Sequence, residues 1–185
     1  MIRVPSREHP EPRVEVTYRI LHEDEWILAV DKGPGAPVHP VRSFRTRTVL
    51  TRLREDLKEP GLKPAHRLDR ETSGVLLFAR RKRALTRLMN QFKNGRVSKK
   101  YLAIVRGNPD FDRKMVELPL GRDPEFPIRC RMRPGSGRPA QTGFTVLERQ
   151  KDRALISAVP RTGRQHQIRV HLAALGHPVL GDKLY

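Results

Sequence analysis

Residues 66–78 read His66-Arg67-Leu68-Asp69-Arg70-Glu71-Thr72-Ser73-Gly74-Val75-Leu76-Leu77-Phe78. A charged, turn-forming segment opens directly into an apolar strand, Val75–Ala79, so one carboxylate stands between two arginines at the strand's mouth. Working outward, Val14–Leu21 and Trp26–Asp31 are strand-like, and Lys32-Gly33-Pro34-Gly35 breaks the chain with turn chemistry. Leu50, Leu53 and Leu57 recur at helical spacing, with Thr48 as N-cap and Pro60-Gly61 as the stop. Beyond the strand, residues 81–94 read as a helix with Leu85, Leu88, Met89 and Phe92 on one face and Gly95 just past its end.

The second half continues with a strand, Ser98–Arg106, that contains Tyr101. Residues 107–139 are rich in Pro and Gly and enclose Ile128–Arg133. A two-residue period there puts Arg129, Arg131 and Arg133 on one face of a ribbon, with Ile128, Cys130 and Met132 on the other. Ala140–Glu148 and Ala154–Pro160 supply two more strands. Thr162 with Gln165 three residues on matches a capping box opening a helix over 163–175, ended by Gly176. Strands punctuated by single helices predict an α+β fold with a mostly antiparallel sheet and flanking helices. No repeat or linker interrupts the pattern. The expected organisation is therefore one domain over 14–185 after a flexible, basic, proline-rich tail at 1–13.

Charge narrows the partners. Among 185 residues, 38 are Lys or Arg and 20 are Asp or Glu, a formal net charge of +18. Each cation that neutralises a phosphate also releases a counterion, so this imbalance predicts a nucleic-acid partner. The polar side of the second helix, with Arg80, Lys82, Arg83 and Arg87, and the Arg129–Arg133 ribbon are the expected phosphate-facing surfaces. Cys130 is the single cysteine, which excludes an intrachain disulfide and a cysteine-based zinc site. The first residues lack a signal-peptide core, and no apolar run could cross a bilayer, so a cytoplasmic location and no membrane partner are expected.

No metal is expected either. His166 and His171 are five residues apart, about 140° around a helix, so they share no face, and no His-Glu-x-x-His or paired Cys-x-x-Cys occurs. Neither a Gly-x-Ser-x-Gly elbow nor a phosphate-cradling glycine loop is present. Asp69 among fixed cations makes a poor metal site and a poor general acid but a reasonable nucleophile, held ionised and oriented. A structural ion pair to Arg67 or Arg70, or a cap before Thr72 and Ser73, is the competing reading, and the residues alone leave both open. One carboxylate does not suit ordinary glycoside hydrolysis. Tyr101 is either a sheet residue or a platform for an extruded base. Arg169, next to Ile168 on the last helix, borders an apolar face where a cation needs a carboxylate; Asp69 is a candidate.

Three segments resemble the RluA-type pseudouridine synthases, which convert uridine in RNA to its C-glycoside isomer. His66–Gly74 is similar to that family's His-Arg-Leu-Asp-Arg-x-Thr-Ser-Gly motif, and Lys99-Lys100-Tyr101-Leu102-Ala103-Ile104-Val105-Arg106-Gly107 to its tyrosine strand. Gly163-Arg164-Gln165-His166-Gln167-Ile168-Arg169-Val170-His171-Leu172, followed by Gly176-His177-Pro178-Val179-Leu180-Gly181-Asp182, looks like its third motif. Asp31-Lys32-Gly33-Pro34 departs from the usual Asn-Lys-Pro by displacing the proline.

The resemblance implies the family's catalytic fold with a central cleft, and an isomerase that needs no cofactor. It implies that Asp69 is the nucleophile, that Tyr101 stacks on the target base, and that Arg169 pairs with Asp69. Arg67 would fill the space left by the flipped uridine, and Ile168 would wall the base pocket. Arg70, Arg164 and His166, inside the motifs, count as further RNA contacts. Ribosomal or transfer RNA is the implied partner and a monomer the implied state. Relatives usually continue into a C-terminal closing segment, expected to be absent after Tyr185. Two rival readings use the same basic surface: a non-catalytic RNA-binding or ribosome-assembly factor, and a DNA base-excision glycosylase, also a base-flipping carboxylate enzyme.

Overall fold

The computed structural model of the chain describes residues 10–41, 43–128 and 130–185. Where the sequence reads as one domain, the backbone gathers into two compact units, Met1–Asn94 and Gly95–Tyr185. The fold is α+β, and the strands pair antiparallel within each unit. Among the described residues no helix is long and apolar enough to cross a membrane.

The first unit is a four-stranded sheet in the order β1-β2-β4-β3. Its strands are β1 (Tyr18–Glu23), β2 (Ile27–Lys32), β3 (Lys63–Pro64) and β4 (Gly74–Ala79). The Asp24 carboxylate accepts the amides of Trp26 and Ile27, which makes the β1–β2 hairpin turn. Leu28, Val30, Leu76 and Phe78 are fully buried from the two central strands, each such side chain contributing roughly 1.5–3 kcal/mol. Helix α1 (Val49–Leu57) starts where the Thr48 hydroxyl accepts the Thr51 amide, as expected. It ends at Lys58 in the left-handed region, φ 56°, ahead of the expected Pro60-Gly61 stop.

Helix α2 (Lys82–Lys93) packs on β4 and is followed by Gly95 at φ 67°, a conformation that favours glycine. Its expected apolar face is shallower than the periodicity implies. Ala84 is buried, Leu85, Leu88 and Phe92 are half-buried, and Met89 stays exposed. Of the expected tail, residues 1–9 lie outside the described residues. Glu11 is tied down, its carboxylate accepting the amides of Arg45, Thr46 and Arg47 and the Thr46 hydroxyl.

The second unit holds the sheet β5-β10-β9-β6 and a hairpin, β7-β8. These are β5 (Tyr101–Arg106), β6 (Arg113–Glu117), β7 (Leu120–Arg122), β8 (Met132–Pro134), β9 (Gln141–Arg149) and β10 (Arg153–Pro160). Val105, Val116, Phe144, Ile156 and Leu172 form its core. Helix α3 (Gln167–Ala174) is pinned by a closed polar chain. Gln167 donates to the Thr142 hydroxyl, which donates to His171 Nδ1, while His171 Nε2 donates to the Leu118 carbonyl. Burial lowers the His171 pKa, keeping it neutral and suited to that donor order.

Two local expectations fail here. The capping box does not form: Gln165 donates to the Cys130 carbonyl, and Gln167 accepts the Arg164 amide and the Thr162 hydroxyl. Residues 163–166 are consequently not helical, Gln165 and His166 forming a turn, and α3 starts after His166, which sits at φ 56°. Among the described residues of the expected cationic ribbon, strand is confined to Met132–Pro134.

Candidate active site

The loop that carries Asp69 is held by its backbone. Leu68 is buried at its start, and the Thr72 amide donates to the Asp69 carbonyl at 3.1 Å. Lys32, at the end of β2, is fully buried on the same strand face as Leu28 and Val30. Its Nζ donates to the carbonyls of Gly33 at 2.7 Å, Arg70 at 2.9 Å and Thr72 at 2.9 Å. An ammonium has three protons, and here all three hold main chain, two of them in the residues just after Asp69. Burial pushes Lys32 down to about 8, against the upward pull of Glu71 and Asp69. Lys32 thus closes β2 rather than belonging to the turn expected over Lys32-Gly33-Pro34-Gly35. Its signal was a charge prolonging the inward-facing row of an apolar strand.

The rest of the motif is built onto the same frame. His66 Nε2 accepts the Leu77 amide of β4 at 3.1 Å, and its ring lies 4.7 Å from that of Phe92 on α2. A neutral His66 therefore carries its proton on Nδ1. Arg70 pairs with Glu71 at 2.7 Å and lies 5.7 Å from the Phe44 ring. Arg67 is exposed, and no described hydrogen bond or ion pair engages it. Gly74, at φ 115°, turns the loop into β4 opposite Lys32.

In the second unit, α3 presents Arg169. Its Nε donates to Asp182 at 2.6 Å and its Nη2 at 2.8 Å, a two-pronged grip on a carboxylate that is 3% exposed. Burial raises the Asp182 pKa, but Arg169 and the amides of Leu184 and Tyr185 outweigh it and hold the group below its ordinary value. Asp182 is thus a partner that the sequence reading missed, although it ends the third quoted motif. Tyr185 is a second omission. Its hydroxyl meets His166 Nδ1 at 2.7 Å and accepts the Met132 amide, and the guanidiniums of Arg169 and Arg131 lie 5.0 and 5.7 Å from its ring. Tyr101, the first residue of β5, and Ile168 on α3 are half-buried against the core of this unit.

The expected RNA-facing cations divide. Lys82, Arg83 and Arg87 are exposed along α2. Arg80 is not part of that surface: it is 17% exposed, between Glu59 and Glu23, and it also donates to the Asp24 carbonyl. It serves as an internal cation that closes the β1–β2 end of the sheet. Arg131 pairs with Asp123 at 3.3 Å over the Phe126 ring, and Arg133 with Glu125 at 3.5 Å. Neighbouring acids thus offset both. Arg129 lies outside the described residues. Arg164 donates to the Pro139 carbonyl at 2.9 Å.

With this geometry in hand, comparison with known proteins places the chain. Residues 26–174 match the RNA pseudouridylate synthase family. Dual-specificity RNA pseudouridine synthase RluA of Salmonella typhimurium is 39% identical over 182 residues, covering 96% of this chain and 81% of that protein. Human pseudouridylate synthase RPUSD2 is 36% identical over 184 residues, spanning 100% of this chain but 34% of its own length. Ribosomal large subunit pseudouridine synthase C of Vibrio cholerae is 38% identical over 92% of this chain and 54% of its own. The solved structure of human RNA Pseudouridylate Synthase Domain Containing 1 superposes with a TM-score of 0.80 at 31% identity, over 95% of this chain and 72% of that one. The chain belongs to the RNA pseudouridylate synthase family, and within it to the RluA type. It spans about a third to a half of two of these curated relatives.

Proposed function

We propose that this chain isomerises uridine to pseudouridine in structured RNA, with Asp69 as the nucleophile and Tyr101 and Arg169 completing the catalytic set. The match over residues 26–174, which includes the whole Asp69 loop, carries this reading. The net charge of +18 adds a polyanionic substrate. One relative is named for dual specificity and another for the large ribosomal subunit, and in keeping with these names we favour ribosomal or transfer RNA as the substrate class, acted on by a cytoplasmic monomer.

The reaction balances without a cofactor. The bond from ribose C1′ to uracil N1 breaks, the base turns in place, and C1′ bonds to C5. C5 gives up a proton and N1 gains one, so no atom is lost. Asp69 serves by adding to C1′, by adding to C6, or by taking the 2′ proton. Reaching the base requires flipping it from its stack at a cost of a few kcal/mol, which exposed Arg67 offsets by filling the gap. Tyr101 would lie on the flipped base, Ile168 beside it, and Arg169 would keep Asp69 ionised.

Asp69→Asn is expected to lower tritium release from 5-tritiated uridine RNA by on the order of 10³-fold or more, with RNA affinity nearly unchanged. A wild-type rate in that variant would remove the nucleophile assignment. Free base released from DNA would instead mark a glycosylase.

A further inference from the structure

Away from the Asp69 loop, the first unit carries a groove of about 160 Å³ lined by Trp26, Ile27, Arg83, Arg87, Leu88 and Gln91. Trp26 is 43% exposed, and it is the single tryptophan of the chain. No described hydrogen bond or ion pair engages its indole, Arg83, Arg87 or Gln91. The acids nearest in sequence are otherwise employed: Asp24 caps the hairpin amides, Glu23 pairs with Arg80, and Glu25 lines a separate depression with Lys58 and Arg81. Arg83 and Arg87 are one turn apart on α2, so both flank the same side of the ring.

We propose that this groove binds an unstacked nucleotide of the RNA flanking the target site, with its base on Trp26 and its phosphates on Arg83 and Arg87. The inference rests on the RNA-modifying reading and extends it to a second contact point. Every base offers a face to an aromatic ring, and paired guanidiniums beside it match the charge of the adjoining backbone. Ile27 pairs with Ala79 at one end of β2, and Lys32 pairs with Gly74 at the other. The groove therefore lies one strand length, about 17 Å, from the Lys32 end of β2, where the carbonyls of Arg70 and Thr72 just after Asp69 are held. A flank that reaches both must extend several nucleotides from the modified uridine, which makes flank length, rather than flank sequence, the expected determinant of affinity.

The single tryptophan makes the test direct. The full chain is titrated with two hairpin RNAs sharing one target uridine, one with a single-stranded extension and one without. Only the extended RNA is expected to quench Trp26 emission and shield it from acrylamide. Trp26→Ala is expected to weaken the extended RNA about five- to a hundredfold and leave the blunt hairpin unaffected. The surface pair Arg83→Ala with Arg87→Ala serves if the tryptophan variant folds poorly, and should reduce the salt slope of binding by about 1.4. Tight binding of the extended RNA with unchanged emission and shielding, or equal affinity in the variants, overturns the proposal. Pseudouridine formation is scored separately: quenching without product would sink the isomerase reading alone, and product without quenching would sink the groove alone.

Discussion

Two buried charges support the candidate chemistry, one in each unit, and they do so in opposite ways. Lys32 is a cation that spends its protons on backbone carbonyls and touches the Asp69 loop through main chain. Asp182 is an anion that takes two N–H groups from the Arg169 side chain and further ones from Leu184 and Tyr185. The difference matters because a carbonyl is neutral and a guanidinium is not. Removing Lys32 leaves polar groups short of a partner, whereas removing Asp182 leaves a net charge unmatched in a place with little water.

That asymmetry is easiest to break at Asp182. Asp182→Asn is expected to destabilise the chain by about 3–5 kcal/mol, read from the urea midpoint, because Arg169 then stays charged opposite a neutral amide. Pseudouridine formation should fall with it even where the protein is still folded. A midpoint unchanged from wild type would mean that the grip on Arg169 carries little energy.

Lys32→Met tests the other side with a smaller loss. The loop should shift while the side chains proposed to touch substrate are all still present. An expected drop of about 10²-fold in kcat, with KM little changed, corresponds to a misplacement of around an ångström. An equal loss in KM would assign Lys32 to RNA binding rather than to positioning.

These two supports also show what could be read from the chain before its structure. The strands around Asp69, the Thr48 cap and the helix that Gly95 ends are set by local periodicity and turn chemistry, which neighbouring residues alone determine. The motif residues were legible because they stand in unbroken order. The supports were not: Lys32 lies 38 residues from Arg70, and Asp182 lies 13 from Arg169 on the far side of a helix end. Arg80 misled for the same reason, since its place in the α2 stripe is local and its partners Glu59 and Glu23 are distant. Gln167 displaced Gln165 as the helix-start residue because Thr142 and the Gln141 carbonyl, on β9, hold its side chain.

The smallest effect separates the two supports by pH. Unfolded, Lys32 keeps its proton up to its ordinary value of 10.5; folded, burial brings that down to about 8. Between these values the unfolded chain binds more protons than the folded one, so this group makes stability rise with pH. Activity should move the other way, since a neutral amine has two protons for three carbonyls and holds the loop less firmly. Its loss should be milder than that of Lys32→Met, because two of the three contacts survive. Asp182 acts at the opposite end of the scale: its lowered pKa contributes stability that is present above the ordinary value of 3.8 and lost as pH falls through the folded one. A pH series of kcat beside urea midpoints on the same samples checks both. Activity that declines above pH 8 while the midpoint holds or climbs assigns the alkaline limb to Lys32; parallel decline of both would make that limb ordinary unfolding.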